Sequence, residues 1–427
     1  MKVLLKNCLI VDDTSDYHLK KSDILINKGV FEKITEPDTL NGDFDLVFET
    51  YGLSVSKGWI DAAVHFKDPG FEWTESLPSL AVAAQKGGFT SIIGFPNTQP
   101  TVQTKESLAY FKNFSENKAV RFYNYAAVTL KCEGKDFTDM IDLYRNGAVG
   151  FSDGVFPIQS SDILLKTMQY LQPLGAVLVN KVEDKYLSMY GQMHEGITST
   201  RLGLKGIPSA AEEIMIMRDL KLLEYSGIKT EKPLLHFSTI STAESVNLIR
   251  EAKRKGLPVS CDISAHHLLF TENDLENFDS NLKVKPPFRS KSDIEALKAG
   301  LADGTIDMVV SDHHPLDSEH KDIEFDLAEF GAVGIQTLFG IMNKKSGLSL
   351  SQIIEKIEKN PRRIFNLEVP SIKEGNKAEI TIFEDQTEFT FTEEQIVSLS
   401  KNSPDIGQTL RGKVLGTLRN NILSKNL

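Results

Sequence analysis

The sequence predicts an α/β protein built on a closed (β/α)8 barrel, with a small second domain formed jointly by both ends of the chain. Two observations lead to this fold class. From Gly58 onward, short apolar runs alternate with longer segments of helical period, whereas both ends show the alternation of short strands. The length of 427 residues suits one large barrel with an appendage.

The barrel is predicted from eight apolar runs, each followed by a helical segment. In order they are GWIDAAVHF, FTSIIGFPN, VRFYNYAAV, AVGFSD, AVLVNKVED, PLLHFSTI, PVSCDISAHHL and IDMVVSDHHP. Amphipathic segments such as AAEEIMIMRDLKLLEYSG lie between them, and several end in glycine, a common helix C-terminal signal. Near-continuous apolar strands alternating with helices indicate a parallel sheet covered by helices. An open doubly wound sheet would be expected to carry a glycine-rich phosphate turn after its first strand, and GWIDAAVHFKDPG is not one.

The second domain is predicted as a small composite β-sandwich. Residues 1–55 contain β-type runs such as VLLKNCLIV and DILINKGVFEKI, and residues 366–427 contain KAEITIFEDQTEFTF and GQTLRGKVLGTLRNNIL. We expect these two segments to pair beside the barrel of residues 56–365.

Net charge, cysteine spacing and the lack of long apolar runs limit the kinds of partner and the location that the sequence allows. The net charge of −11 argues against a nucleic-acid or anionic-membrane partner, because either would need a basic face. The three cysteines lie far apart and form no metal or redox spacing. The chain shows no signal-peptide pattern and no run of the roughly 18 apolar residues that a membrane span needs. We therefore expect a cytoplasmic protein.

Polar side chains follow nearly every apolar run. In a parallel barrel the reacting groups lie at the C-terminal ends of the strands. Any one of these residues is more often structural than functional, but their recurrence at corresponding ends favours a shared site. They are Asp61, His65, Lys67, Asn97, Asp153, Lys181, Glu183, Asp184, His236, Thr239, His266, His267, Asp312, His313 and His314.

Several of these motifs together resemble one family. GWIDAAVHFKDPG followed by GGFTSIIGFPNTQP is similar to the dihydroorotase signature, and GIPSAAEEIMIMRD, NLKVKPPFRS and DGTIDMVVSDHHP match further family segments in order. The resemblance covers essentially the whole chain. It implies a barrel of the amidohydrolase type, the composite β domain, and a place in de novo pyrimidine synthesis.

The resemblance also implies a metal site that this chain retains only in part. His65, Asp153 and Asp312 match family metal ligands, and Asp312 also matches the catalytic base. The other ligand positions hold Ala63, Lys181 and Thr239, whereas His236 matches a histidine that is not a ligand.

The family's substrate-binding positions are altered as well. Lys67 stands where an arginine grips the substrate carboxylate, Asn97 is retained, Lys285 replaces an asparagine and Leu316 replaces a histidine. Lysine keeps the charge of arginine but lacks its bidentate fork.

These changes weaken the case for zinc. A catalytic zinc ion needs three protein ligands and an open position, and one imidazole with two carboxylates suits an oxygen-loving ion better. The Lys181 ammonium would repel a metal and is expected to pair with Asp153 or Asp312 instead. A carbamylated Lys181 acting as a metal ligand is the alternative. We expect no cofactor or a weakly bound one, and zinc if the protein is active.

The functional expectation is a dihydroorotase-family protein with little or no metal-dependent catalysis. The resemblance implies a structural role with aspartate transcarbamoylase, and we expect a homo-oligomer. One alternative is an active dihydroorotase that interconverts dihydroorotate and N-carbamoyl-aspartate, with Asp312 shuttling the proton. A hydantoinase or allantoinase type is the third possibility.

Overall fold

The structure, a computed structural model, describes residues 1–426 and divides into a parallel barrel and a separate sheet. The first strands of the chain are β1 (Lys2–Val11), β2 (Lys21–Asn27), β3 (Val30–Thr35), β4 (Leu46–Phe48) and β5 (Leu53–Lys57). The barrel strands and a short ribbon follow as β6 (Trp59–Val64), β7 (Phe89–Gly94), β8 (Arg121–Ala126), β9 (Gly150–Phe151), β10 (Leu178–Lys181), β11 (Met193–His194), β12 (Gly206–Ile207), β13 (Leu235–Ser238), β14 (Val259–Ser264) and β15 (Met308–Val310). The last strands are β16 (Ile380–Thr390), β17 (Thr409–Arg419) and β18 (Ile422–Lys425).

The helices cover the outside of the barrel and connect its strands. They are α1 (Leu77–Gly87), α2 (Lys105–Ser115), α3 (Met140–Arg145), α4 (Ser161–Leu171), α5 (Ile197–Leu202), α6 (Ala210–Ser226), α7 (Ala243–Arg254), α8 (Lys291–Ala302), α9 (Ser318–Lys321), α10 (Leu338–Lys345), α11 (Leu350–Ile354) and α12 (Asn360–Ile364). Hydroxyl side chains start several of them, as where Ser76 caps α1 and Thr242 caps α7 by accepting a backbone N–H. No helix within residues 1–426 is long and apolar enough to cross a bilayer.

Both ends of the chain share one sheet. Its strand order is β18-β17-β16-β5-β1-β2-β3, with β4 beside β1. Strand β5 joins the two ends, because it pairs in parallel with β1 and antiparallel with β16. Side chains from both ends, including Leu5, Val55 and Ile380, form a common core. Both ends therefore form one composite β domain, as predicted, but its strands belong to a single continuous sheet and not to the two separate sheets of a sandwich. The boundary expected at residue 55 falls within β5, which ends at Lys57.

The barrel strands are parallel and follow the chain in order from β6 to β15, with β11 and β12 forming a separate ribbon. The eight apolar runs identified in the sequence supply these strands, so the predicted barrel is confirmed. The first and last strands meet through a bridge between Val64 and His313, and the His65 N–H donates to the His313 carbonyl at 2.9 Å.

A buried carboxylate strengthens this junction. Asp61 on β6 accepts the Ser311 N–H at 3.1 Å and also the Ser311 hydroxyl. Burial raises the pKa of Asp61 to about 7, although the hydrogen bonds from Ser311 oppose this rise. Asp61 therefore ties β6 to the segment after β15, and the residues that follow both strands are brought together.

Candidate functional site

A cavity of about 900 Å³ opens at the C-terminal ends of the barrel strands. Each barrel strand, or the loop after it, contributes to the lining: His65, Phe95, Lys131, Val155, Lys181, Thr239, His266 and Asp312 come from the eight strands in order. The volume lies within the roughly 300–1,000 Å³ of sites that hold small molecules. Ten of the fifteen polar residues expected at the strand ends line this cavity, whereas Asp61, Asp153, Asp184, His236 and His313 do not.

A lysine, an aspartate and a histidine meet at the floor of this cavity. The Lys181 Nζ donates to Asp312 Oδ1 at 3.0 Å, and the His65 Nε2 lies 3.1 Å from the same oxygen. The Lys181 and Asp312 side chains are 13% and 15% exposed, so water screens the pair only weakly. Of the two partners expected for Lys181, the structure selects Asp312. We refer to Lys181, Asp312 and His65 as the floor cluster.

Charge within the floor cluster is balanced. Burial acts to raise the pKa of Asp312, but the Lys181 charge and the His65 hydrogen bond outweigh it and hold that pKa well below its usual range. Burial lowers the pKa of His65 to about 4, so the imidazole is neutral near pH 7. A neutral imidazole can donate its Nε2–H to the carboxylate, which leaves one ammonium opposite one carboxylate.

Aromatic rings enclose the floor cluster. The His65 ring stacks on His314 with centroids 4.1 Å apart, and it lies 4.9 Å from Phe95. The Lys181 Nζ lies 5.6 Å from the centre of the Phe95 ring, within cation–π range. These rings pack around His65 and Lys181 and limit the access of water to the Lys181 charge.

The backbone at Asp312 is unusual, because its φ of 49° lies in the left-handed region. Thr239, at the end of another barrel strand, has a φ of 55°. The Thr239 N–H donates to Asp262 Oδ1 at 2.6 Å, and the same carboxylate is 2.8 Å from His236 Nε2. His236, which matches a family histidine that is not a metal ligand, is fully buried below the cavity. There it contacts the same carboxylate that holds the end of its own strand at Thr239.

The predicted ligand Asp153 stands apart from the floor cluster. Its Oδ1 accepts the N–H groups of Val128 and Thr129 at 2.9 Å each, and its Oδ2 accepts the Thr129 hydroxyl at 2.6 Å. Asp153 does not line the cavity within the described part of the chain. Burial raises the pKa of Asp153, in spite of these hydrogen bonds, and its acceptor capacity serves the loop after β8.

The donor set at the barrel mouth does not fit a metal ion. Ala63 offers no lone pair, and the Thr239 hydroxyl donates to the Ser238 carbonyl at 2.8 Å. His65 and Asp312 are the predicted ligands that meet, and the Lys181 ammonium lies against them. Across residues 1–426, no three His, Cys, Asp or Glu side chains are grouped so that they could hold a metal ion. A catalytic zinc ion requires three such donors.

The predicted substrate-binding residues all line the cavity, but they differ in whether their polar groups are already bonded to other residues of the protein. Asn97 is engaged by the loop after β9, since it donates to the Asp153 carbonyl at 3.1 Å and accepts the Val155 N–H at 3.0 Å. Lys285 forms an ion pair with Glu183 at 2.7 Å. Lys67 forms no ion pair among the described residues, and burial lowers its pKa to about 8. Leu316 presents an apolar side chain.

Other lining residues were not singled out from the sequence as site residues. Phe71, Trp73, Lys131, Phe156 and Phe330 lie in loops beyond the strand ends, and their types carry no functional signal on their own. The fold alone brings them to the cavity mouth. Asp262 lies within the apolar run PVSCDISAHHL and was not identified from the sequence. Its role is seen only in the structure, where its carboxylate accepts the Thr239 N–H.

Comparisons with known proteins agree with this fold and point to one family. A family model described as Dihydro-orotase-like matches residues 53–245. The chain is 35% identical over 422 residues to a dihydroorotase of Pelotomaculum thermopropionicum, covering 98% of this chain and 97% of the relative. It is 36% identical to a dihydroorotase of Acetivibrio thermocellus, covering 93% of each.

Solved structures show the same architecture. An L-hydantoinase (dihydropyrimidinase) from Arthrobacter aurescens superimposes with a TM-score of 0.84 at 24% identity, covering 99% of this chain and 96% of that one. A dihydropyrimidinase from Brevibacillus agri superimposes with a TM-score of 0.81 at 21% identity, covering 99% and 95%. At this level of identity the likeness concerns the fold. The full-length sequence matches show that the chain belongs to the dihydroorotase family.

Proposed function

We propose that this protein is a dihydroorotase-family member of pyrimidine synthesis that does not carry out metal-dependent turnover. The observation that supports the proposal is the floor cluster, in which the Lys181 ammonium lies 3.0 Å from Asp312. Asp312 matches the catalytic base of the family, and here an ammonium neutralises its charge. A base held in this way is a weak proton acceptor, because its protonation would leave Lys181 without its counter-charge.

Electrostatics opposes a metal ion beside Lys181. Two like unit charges 4 Å apart repel by about 4 kcal/mol at an effective dielectric constant of 20, so a divalent cation and an ammonium repel by about 8 kcal/mol. His65 and Asp312 alone offer two donors against this repulsion. We infer that Lys181 has taken over the charge-balancing role of a cation and that zinc does not bind tightly.

The test is an assay of dihydroorotate ring opening and of the reverse cyclisation. The protein is first treated with a chelator and then assayed with and without added zinc. The dihydroorotase of Pelotomaculum thermopropionicum, assayed in parallel, serves as the positive control. We expect no turnover above that of an Asp312→Asn variant. Zinc-dependent turnover that Asp312→Asn abolishes would contradict the proposal.

We further propose that the protein acts as a structural partner of aspartate transcarbamoylase, as its resemblance to inactive family members implies. Support for this part comes from the resemblance alone. Size-exclusion chromatography of the chain mixed with the transcarbamoylase of the same organism tests it. Co-elution in a larger complex is expected, and separate elution at micromolar concentrations argues against a stable assembly.

An active dihydroorotase is the second candidate. The names of the relatives and the retained His65 and Asp312 favour it. The ring-opening assay separates the two candidates directly, because only the second predicts zinc-dependent turnover.

A further inference from the structure

Charge is distributed unevenly around the cavity mouth. The carboxylates of the lining, Glu183, Asp312 and Glu329, come from the loops after β10 and β15. The loops after β6, β7, β8 and β9 contribute Lys67 and Lys131 to the lining and, within residues 1–426, no aspartate or glutamate. We call this half of the lining the cationic sector. It is conspicuous in a chain whose net charge is −11.

The two lysines of the cationic sector lack carboxylate partners. Lys181 and Lys285 also line the cavity, but they are paired with Asp312 and Glu183. Lys67 and Lys131 form no ion pair among the residues that the structure describes. The Lys67 ammonium is half-buried, and the carboxylates that attract it, Glu329 and Asp317, lie beyond ion-pair distance. An anion in direct contact with Lys67 would therefore offset the cost of its desolvation.

Both lysines are held against the same loop. The loop of Lys67 is attached to the loop after β7, because the Gln99 N–H donates to the Pro69 carbonyl at 3.0 Å. On the other side, the Lys131 N–H donates to Gln103 Oε1 at 2.7 Å. In the barrel, β7 alone separates β6 from β8. Lys67 and Lys131 therefore flank one loop of the cavity mouth.

Aromatic side chains border the same sector. Trp73 and Phe156 line the cavity and are 63% and 56% exposed, and Phe71 lies edge-on to Trp73 with centroids 5.7 Å apart. Exposed aromatic faces beside a cavity provide surfaces on which flat ligand rings can stack. A ligand that satisfies both features carries a flat ring and a compact negative charge.

We propose that the cationic sector binds a phosphate monoester that carries a flat ring, such as a nucleoside monophosphate. Phosphate fits better than carboxylate because a phosphate monoester carries nearly two negative charges near pH 7, which matches the two lysines of the cationic sector, and lysine binds phosphate as a point charge. The cavity of about 900 Å³ has room for a nucleotide-sized ligand. The inference builds on the proposed function, since a site without metal-dependent turnover is free to hold such a ligand.

Calorimetric titration of the full chain, in the presence of a chelator, tests this proposal. The probes are uridine monophosphate, uridine, inorganic phosphate and orotate. We expect uridine monophosphate to bind more tightly than the other three, because only it combines a ring with a phosphate. Equal affinity for uridine, or tighter binding of orotate, would overturn the assignment.

Variants separate the two features of the site. Lys67→Met and Lys131→Met are each expected to weaken uridine monophosphate binding about tenfold, the effect typical of losing a charged hydrogen bond. Phe156→Leu should weaken it by a similar factor through lost stacking. Lys105→Met removes an exposed charge outside the cavity and should have no effect. Melting curves establish that each variant is folded, and unchanged binding in both cavity lysine variants contradicts the proposal.

Failure of the uridine monophosphate titration can be distinguished from failure of the proposed function. Absence of uridine monophosphate binding would refute the cationic sector as a phosphate site and leave the lack of turnover intact. Zinc-dependent ring opening would refute the proposed function whatever the titration shows.

Discussion

Replacing Lys181 with methionine removes the ammonium from the floor cluster and leaves the Asp312 carboxylate with His65 as its hydrogen-bond partner. Breaking a buried ion pair on one side costs about 3–5 kcal/mol, because the remaining charge stays desolvated. The two side chains retain 13% and 15% exposure, so we expect the lower end of this range, about 3 kcal/mol. Urea denaturation measures the loss of unfolding free energy.

A matched control distinguishes this effect from the general loss of a lysine. Lys285 also pairs with a carboxylate at the cavity, but its side chain is 38% exposed. Lys285→Met should therefore cost less than about 1 kcal/mol. In a double-mutant cycle, Lys181→Met combined with Asp312→Asn should cost about 2 kcal/mol less than the sum of the single changes. Additive effects, or equal losses in Lys181→Met and Lys285→Met, would show that Lys181 and Asp312 do not form a stabilising buried pair.

The acid dependence gives an independent readout. A carboxyl group whose pKa is depressed in the folded protein stabilises it above the unfolded pKa of about 3.9, and this stability is lost as the pH falls through the folded pKa. The pKa of Asp312 is depressed in this way. The difference in unfolding free energy between the unsubstituted protein and Lys181→Met should therefore shrink below about pH 4.

Two further predictions concern the surroundings of the cavity. Lys321 is fully buried and donates to the Glu329 carbonyl at 2.9 Å, and burial lowers its pKa to about 7. Above that pH the unfolded chain binds more protons than the folded protein. The unfolding free energy, relative to that of Lys321→Met, should therefore rise by up to about 1.4 kcal/mol per pH unit between about pH 7 and about pH 9. Urea denaturation at both pH values measures this, and an unchanged difference between the two proteins would contradict it. The second prediction concerns Gly154, where φ is +64° and an added Cβ would lie 1.7 Å from Asn97 Oδ1. Gly154→Ala should lower the unfolding free energy by about 2 kcal/mol more than Gly175→Ala, whose φ is +66° with nothing within 4 Å, and equal losses in denaturation would show that Asn97 adapts freely.

The sequence was sufficient to predict the barrel because each of its strands is a short apolar run between helical segments. The runs AVLVNKVED and IDMVVSDHHP carry Lys181 and Asp312 just past their apolar cores, and a parallel barrel brings such positions together. The pairing of Lys181 followed from charge alone, but two carboxylates were open to it. Only the structure shows that Asp153 is already engaged by the loop after β8.

The rest of the site depends on contacts between distant loops. Trp73, Lys131 and Phe156 are ordinary loop residues in the sequence, and their common position at the cavity mouth follows from how the loops after β6, β8 and β9 fold over the barrel. The shared role of Asp262 in holding both Thr239 and His236 likewise requires neighbouring strands in register. Local patterns carry no information about such contacts.

The central proposal is that the Lys181 ammonium takes the place of a metal ion beside Asp312, and calorimetric titration with zinc tests it most directly. The chain is compared with a variant in which Ala63, Lys181 and Thr239 are all changed to histidine, so that imidazoles replace the positions without metal donors. We expect no measurable zinc uptake by the unsubstituted chain and clear uptake by the variant. Tight, stoichiometric zinc binding by the unsubstituted chain would contradict it.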